Sequence, residues 1–312
     1  MSLIIIVIPL LVILALSLSA VWLARRARPF PEVDPSRHGA LLAGYRKALG
    51  WRWAGLGLGV AAAVLAAYAD SLGRGLMLAP TVFGLCVIGG VVVGELATIP
   101  RSPGVRTAPL ETRRAGDYLP RRLGGAVTAM AAALGALLVT TTLMGSADDM
   151  GRAGRTLALQ CSAGRGSRSP WPGLFYGVPL GIAVAAGLLG AVLALRVVVL
   201  RPRSGSAADT VALDDVLRRR SAEAVTAATG VMVAGSVFAV SVIGGANLVA
   251  FTSESGPCAA PAWWTVLGVV LLAAAPLLLL LTGGCLALLL VSPRIRPAAP
   301  EDAVRAGEGA RR

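Results

Sequence analysis

Apolar residues run along this chain in seven long blocks, separated by short polar segments rich in arginine. The blocks cover residues 3–23, 53–69, 76–99, 123–144, 174–200, 225–251 and 263–291. A helix needs about 20 mostly apolar residues to cross roughly 30 Å of hydrocarbon, and all seven blocks approach or exceed that length. The pattern predicts an all-α fold, a polytopic membrane bundle of seven transmembrane helices. The blocks at 174–200 and 263–291 are long enough to lie tilted.

The polar segments set the orientation. With the N-terminus outside, the inner segments 24–52, 99–122, 201–224 and 292–312 hold 23 of the 29 basic residues. The outer segments hold Arg74, Arg152, Arg155, Arg165 and Arg168, and Arg196 lies inside a block. Cytoplasmic loops carry the excess of Lys and Arg, so the expected topology is N-out, C-in, in a bacterial plasma membrane. Nothing basic precedes the first block, whereas Arg25, Arg26 and Arg28 follow it. That is the pattern of a retained outward-starting anchor over residues 1–24 rather than of a cleaved signal peptide. Residues 292–312 read as a basic cytoplasmic tail without a fold of its own.

Composition agrees with this. The hydrophobic fraction is 56%, and 14% of residues are charged, too few to cover a soluble surface. The net charge of +13 is mostly the topology signal, which also draws the inner face to anionic lipid headgroups. No aromatic-studded basic domain stands outside the membrane, so nucleic acid is not an expected partner.

An internal repeat organises the blocks further. Asp117, Leu119, Arg121, Arg122 and 126–129 match Asp215, Leu217, Arg219, Arg220 and 224–227 at a constant offset. The third, fifth and seventh blocks all exit into Arg/Pro segments. The body therefore reads as three hairpins, 53–99, 123–200 and 225–291, behind the anchor, a parallel repeat of the kind some transporters and some inert scaffolds share. The segments GDYLPRRL (116–123) and DDVLRRRSAEAV (214–225), with Lys47 the only lysine, give the chain a style that resembles multi-pass membrane proteins common in actinobacteria such as Streptomyces. That resemblance implies no activity.

Candidate chemistry is sparse. His38 is the only histidine and has no ligand cluster beside it, so no zinc site is expected. Lys47 falls in a loop, which excludes a retinal Schiff base within the membrane. No G-x-S-x-G, P-loop or dinucleotide fingerprint is present, and no cofactor is expected. Gly55, Gly57 and Gly59 sit within an apolar block and read as a close helix contact. So do the pairs Gly90/Gly94 and Gly177/Gly181.

Two ionisable residues lie within blocks, Glu95 and Arg196, at matching depth near the inner end. Intramembrane charges are candidates for function. They would form an ion pair joining two hairpins, snorkel separately to the interface, or serve a transport or proton-relay role. Cys161 and Cys258 both fall in outer loops, where a disulfide would staple them. Cys86 and Cys285, inside blocks, read as small apolar residues. Residues 209–225 would form either a short amphipathic helix, with Leu213, Val216 and Leu217 on one face, or a solvated entry to the sixth block that its arginines keep out of the membrane. Arg121, Arg122, Arg218, Arg219 and Arg220 are candidates for docking a lipid or a partner. Thr140, Thr141, Thr142 and Asn247 would line an outer vestibule or bond to their own helices. Trp51, Trp53, Trp171, Trp263 and Trp264 stand at block ends, as interface aromatics do.

The expected function is that of a non-enzymatic accessory or interaction subunit, with another membrane protein as its partner. The alternatives are a small-solute transporter or channel and, more remotely, a membrane enzyme acting on lipid. A polar cavity beside Glu95 reaching mid-membrane would favour transport. A bundle packed solid would favour the accessory role.

Overall fold

The computed structural model describes residues 35–98, 118–201, 208–253 and 258–290. The expected first span at 3–23 and the tail at 292–312 lie outside them. Six helices are described: α1 Pro35–Tyr68, α2 Arg74–Ala97, α3 Arg121–Met144, α4 Leu174–Leu200, α5 Ala208–Ser253 and α6 Ala262–Leu290. All six are long and apolar enough to cross a membrane. The chain is a multi-pass helical bundle.

Two helices outrun the apolar blocks that announced them. α1 has 34 residues and α5 has 46, about 51 and 69 Å at 1.5 Å per residue. Their extra turns lie at the same end of the bundle, where Leu42 of α1 packs on Leu213 and Leu217 of α5. The expected short amphipathic helix at 209–225 is thus the start of α5 itself. Its apolar face meets α1 in place of lipid. We call this the basic end, and the opposite one the sheet end.

α5 is the axis of the bundle. Val231, Met232, Val233 and Ala234 are four consecutive residues, at most 1% exposed, so neighbours surround the helix on every side. Glycines admit those neighbours. A side chain at Gly84 of α2 or Gly187 of α4 would collide with Met232, whose side chain fills the space between the two helices. Gly245 and Gly268 face one another's carbonyls and bring α6 onto α5. On the flank, Gly55 meets the backbone of Gly90, and Gly94 meets Ala48, so the Gly90/Gly94 pair does bind α1 to α2 closely.

The hairpins differ in packing. α1/α2 and α5/α6 are closely joined. α3 buries only Val127, Leu134 and Thr141, a single line with a seven-residue period. Towards the sheet end α3 and α4 are parted by an apolar cleft of about 430 Å³, lined by Leu138, Thr142, Leu143, Gly177, Gly181 and Ile182 among others. Gly181 borders this cleft with only Leu138 near it, whereas Gly177 is buried against Leu138 and Thr142 of α3.

The fold is not purely helical. Between α3 and α4 a three-stranded antiparallel sheet forms from β1 Gly145–Ser146, β2 Thr156–Cys161 and β3 Gly164–Arg168, in the order β1-β2-β3. β2 and β3 form a two-residue hairpin, with Cys161 opposite Gly164. Leu157, Trp171, Leu248, Phe251 and Trp264 form the small core under this sheet.

Candidate functional site: a buried chain of charges at the basic end

Five charged side chains, from three helices and the residue that ends a fourth, converge at the basic end. Glu95, near the end of α2, accepts a hydrogen bond from Arg52 Nη2 of α1 at 3.3 Å. Its other oxygen lies 3.9 Å from Arg201 Nη1, just past α4. Arg201 Nη2 donates to Asp214 of α5 at 3.0 Å, and Asp214 accepts a further bond from Arg218 Nε at 2.8 Å. Arg218 closes the chain by donating to the carbonyls of Val198 and Val199, both at 3.2 Å. Those carbonyls belong to the last turn of α4, where orphan acceptors and the negative end of the helix dipole favour a cation.

The local sequence explains the geometry. Asp214 and Arg218 are four residues apart and share one face of α5. On α4 the buried Ala194 and Val198 define a stripe that Arg201 continues at i, i+4, i+7. Arg196 is two residues beyond Ala194, about 200° around the helix, and is exposed. The expected Glu95–Arg196 pair is therefore corrected. Depth matched, but helical phase puts Arg196 on the outer face, and Arg52 with Arg201 takes its place.

Burial gives these contacts their weight. The side chains of Arg52, Glu95, Asp214 and Arg218 are at most 4% exposed and that of Arg201 is 10% exposed. Charges so enclosed persist only when paired and hydrogen-bonded. The chain alternates in sign, with three guanidiniums around two carboxylates. Arg52 Nε and Arg218 Nη2 are buried without an acceptor. Thr98 assists at the margin, accepting from Arg201 Nη1 at 3.4 Å and donating to the Glu95 carbonyl at 2.8 Å.

The docking arginines divide accordingly. Arg218 is 0% exposed inside the chain of charges and is unavailable to a lipid, which corrects its expected role. Arg220 is half-buried and paired with Glu223 at 2.8 Å. Arg121, Arg122 and Arg219 are exposed, as are Arg46 and Lys47 on α1. Tyr118 donates to Asp215 at 3.3 Å, linking the two repeat segments. Their settings differ, however. Pro120 sits just before α3 at the position where Arg218 continues α5, so equivalent arginines begin one helix and lie deep within the other.

The sheet end holds a second charged cluster, which the sequence did not disclose. Asp148 accepts from Arg152 Nε at 2.7 Å, Arg155 Nη1 at 2.8 Å, and the backbone N–H groups of Arg152 and Met150. Desolvation works against its charge, but the Arg155 and Arg152 bonds outweigh it and hold the carboxyl well below the usual carboxylate range. Asp148 in turn raises Arg155, helped by Tyr176.

The expected Cys161–Cys258 disulfide is present, with Cα atoms 5.7 Å apart, and ties the β2–β3 hairpin to the segment before α6. Asn247 donates to the Pro170 carbonyl at 2.9 Å, and Thr140 and Thr141 bond to carbonyls of their own helix. Asn247 thus fastens the cap, while the two threonines bond within their own helix, the second of the readings their sequence offered. Trp171 is fully buried and donates to the Thr141 carbonyl at 2.7 Å, and Trp264 packs edge-on against Phe251. Neither is an interface aromatic, because the small sheet covers them. Trp51, Trp53 and Trp263 are exposed.

The comparisons place the chain in no family. No protein-family model matches it, and neither does any curated protein or solved structure. Function has to be argued from the geometry alone.

Proposed function

We propose that this protein is a non-enzymatic accessory subunit of a bacterial plasma membrane, with seven spans, its basic end in the cytoplasm and its sheet end outside. The observation that carries this reading is the filled centre of the bundle. Met232 occupies the space between Gly84 and Gly187 at mid-depth, where a solute path would have to run. The surroundings of Glu95 are likewise occupied, by Arg52 and Arg201, which spend its charge on holding helices together. The cleft between α3 and α4 is apolar and opens sideways, as suits a helix or a lipid tail better than an ion.

On this reading the interaction surfaces are the paired extensions of α1 and α5 and the exposed cations around them, Arg46, Lys47, Arg121, Arg122 and Arg219. Anionic headgroups would bind the cations, and a membrane partner would meet the extensions.

Purified protein in anionic proteoliposomes tests the transport alternative. Vesicles loaded with a pH-sensitive dye and a panel of small labelled solutes should leak no faster than protein-free vesicles. Flux that Glu95→Gln or Arg52→Gln abolishes would overturn the accessory reading. Photo-crosslinkers at Leu41 and Val216, introduced in native membranes, should yield one discrete adduct of defined mass. A ladder of unrelated adducts would count against a dedicated partner.

A further inference from the structure

We infer that the step beneath α3 is a discrete site for the phosphate of an anionic phospholipid of the inner leaflet, held by Arg121, Arg122 and Arg219. The inference rests on the proposed reading, with this end in the cytoplasm, and deepens it: three of the five cations receive one ligand.

The step follows from two neighbouring helices that begin at different depths. α3 and α5 lie side by side, with Val127 against Gly230 and Leu123 packed on the cluster of Ala227, Val231 and Cys285. Helical phase puts Glu223, Arg219 and Ala212 on the same face of α5 as Gly230. α3 begins only at Arg121, while α5 extends inward to Ala208. Below that start the shared face loses its cover: Gly230 is buried, Glu223 half-buried, and Arg219 and Ala212 exposed. Tyr118 reaches across to Asp215 at 3.3 Å, so the first turn of α3, with Arg121 and Arg122, roofs the step.

The free charge in the step has one sign. Arg121, Arg122 and Arg219 are exposed, and no ion pair joins any of the three to another described residue. Of the acids beside them, Glu223 is taken by Arg220 and Asp215 accepts from Tyr118. Guanidinium groups grip phosphate oxygens through paired N–H donors, which suits a phosphodiester better than a carboxylate-poor surface of water.

Depth and lining select a lipid over a soluble anion. Arg121 opens a helix long and apolar enough to cross the membrane, which sets the step at headgroup level. From Arg122 a row of Ala126, Ala129, Ala133 and Ala136 climbs α3, every one of them exposed. Their methyl groups leave a shallow apolar strip on which an acyl chain can lie, about 15 Å long at 1.5 Å per residue. Arg46 and Lys47 stand instead on α1 beside the exposed Trp51 and Trp53, and attract the leaflet diffusely.

Lipid retention by the full-length protein tests the site. The protein in mild detergent is titrated with phosphatidylglycerol or phosphatidylcholine, and retained lipid is counted by native mass spectrometry. One phosphatidylglycerol is expected to bind more tightly than all others, with no counterpart for phosphatidylcholine. Arg121→Gln, Arg122→Gln and Arg219→Gln together should lower its affinity on the order of 100-fold, roughly fivefold per cation. Arg46→Gln with Lys47→Gln should leave it within about twofold. Equal losses in the two variants, or equal retention of phosphatidylcholine, would overturn the site. So would displacement of the lipid by equimolar inorganic phosphate, since the strip would then contribute nothing.

The wild-type chain supplies a check that needs no variant. In proteoliposomes, phosphatidylglycerol with a photoactivatable tail should mark residues 125–136 of α3 more heavily than the exposed faces of α1 and α6. A phosphatidylcholine probe should mark all three alike, and even marking by both probes would also overturn the site. An impermeant thiol reagent applied to Ala212→Cys in intact cells tests the orientation separately. Labelling there would invert the proposed topology and place the lipid in the outer leaflet. Protection there, together with no retained phosphatidylglycerol, would sink the lipid site alone.

Discussion

The two ends of the bundle both bury arginine against carboxylate, and they do so in opposite ways. At the sheet end Asp148 gathers Arg152 and Arg155 from within seven residues of itself, and a disulfide supplements that local clamp. At the basic end Arg52, Glu95, Arg201 and Asp214 come from four different segments, and no covalent link joins them. The first arrangement organises a loop that would otherwise be loose. The second fixes the mutual position of helices that already exist. Charge serves local folding in one place and helix assembly in the other, and the consequences of breaking each should differ.

The largest effect is expected at Glu95. Glu95→Ala leaves two buried guanidiniums short of a partner, which for a buried pair costs on the order of 3–5 kcal/mol. Thermal unfolding in detergent should show a marked loss. The double variant Arg52→Met, Glu95→Leu should recover much of it, since removing both charges spares the desolvation of either. A double variant no more stable than the single one would mean that the two residues are not coupled.

Cutting the covalent staple should come next. Cys161→Ser with Cys258→Ser is expected to cost about 2–4 kcal/mol, the usual range for a native disulfide. The loss should be confined to the sheet end. Hydrogen exchange should speed up in 145–168, while amides of α2 around Glu95 stay protected. Uniform loosening would erase the distinction between the ends.

Asp148 sharpens the same point through pH. Its folded pKa is lowered, so its contribution is fully present above the ordinary carboxylate range near 4 and is lost as pH falls through the folded value. The cap should keep its exchange protection at pH 4 and lose it only in stronger acid. Asp148→Asn should lower that protection at neutral pH and flatten the acid response. A wild-type cap that opened around pH 5 would contradict the clamp.

Arg196 is the control. It is exposed and outside the chain of charges, so Arg196→Gln should change stability by no more than about 0.5 kcal/mol. A loss comparable to that of Glu95→Ala would restore the pairing first expected from depth.

Those contrasts follow what could be read in advance. Spans were legible because an apolar block of membrane length has few alternatives, and α4 has the same bounds in sequence and structure. The disulfide was legible because two outer cysteines occupied nearly equivalent positions. Lateral phase was not. Glu95 was found from its rarity inside an apolar run, but its partners Arg52 and Arg201 passed for topology signals, because both stand at block edges beside other cations. The Asp214/Arg218 spacing was visible without its burial, which comes from α4 crossing over it. The sheet was missed although Thr156-Leu-Ala-Leu-Gln alternates, since so short a run between two spans carries little weight beside its neighbours. The extensions of α1 and α5 were hidden because helical turns outside lipid need no continuous apolarity.

α5 has one more property worth following. α2, α4 and α6 each contain an internal proline, at Pro80, Pro179 and Pro276, whereas the 46 residues of α5 contain none. Proline is the usual place for a helix to flex. α5 is therefore the stiff strut of the molecule, held near one tip by the core under the sheet and near the other by Asp214 and Arg218. A strut clamped at both tips resists bending and passes on thrust and twist. A tug on the cap would arrive at the arginines as a small displacement along or about the axis, with the proline-hinged helices yielding around it.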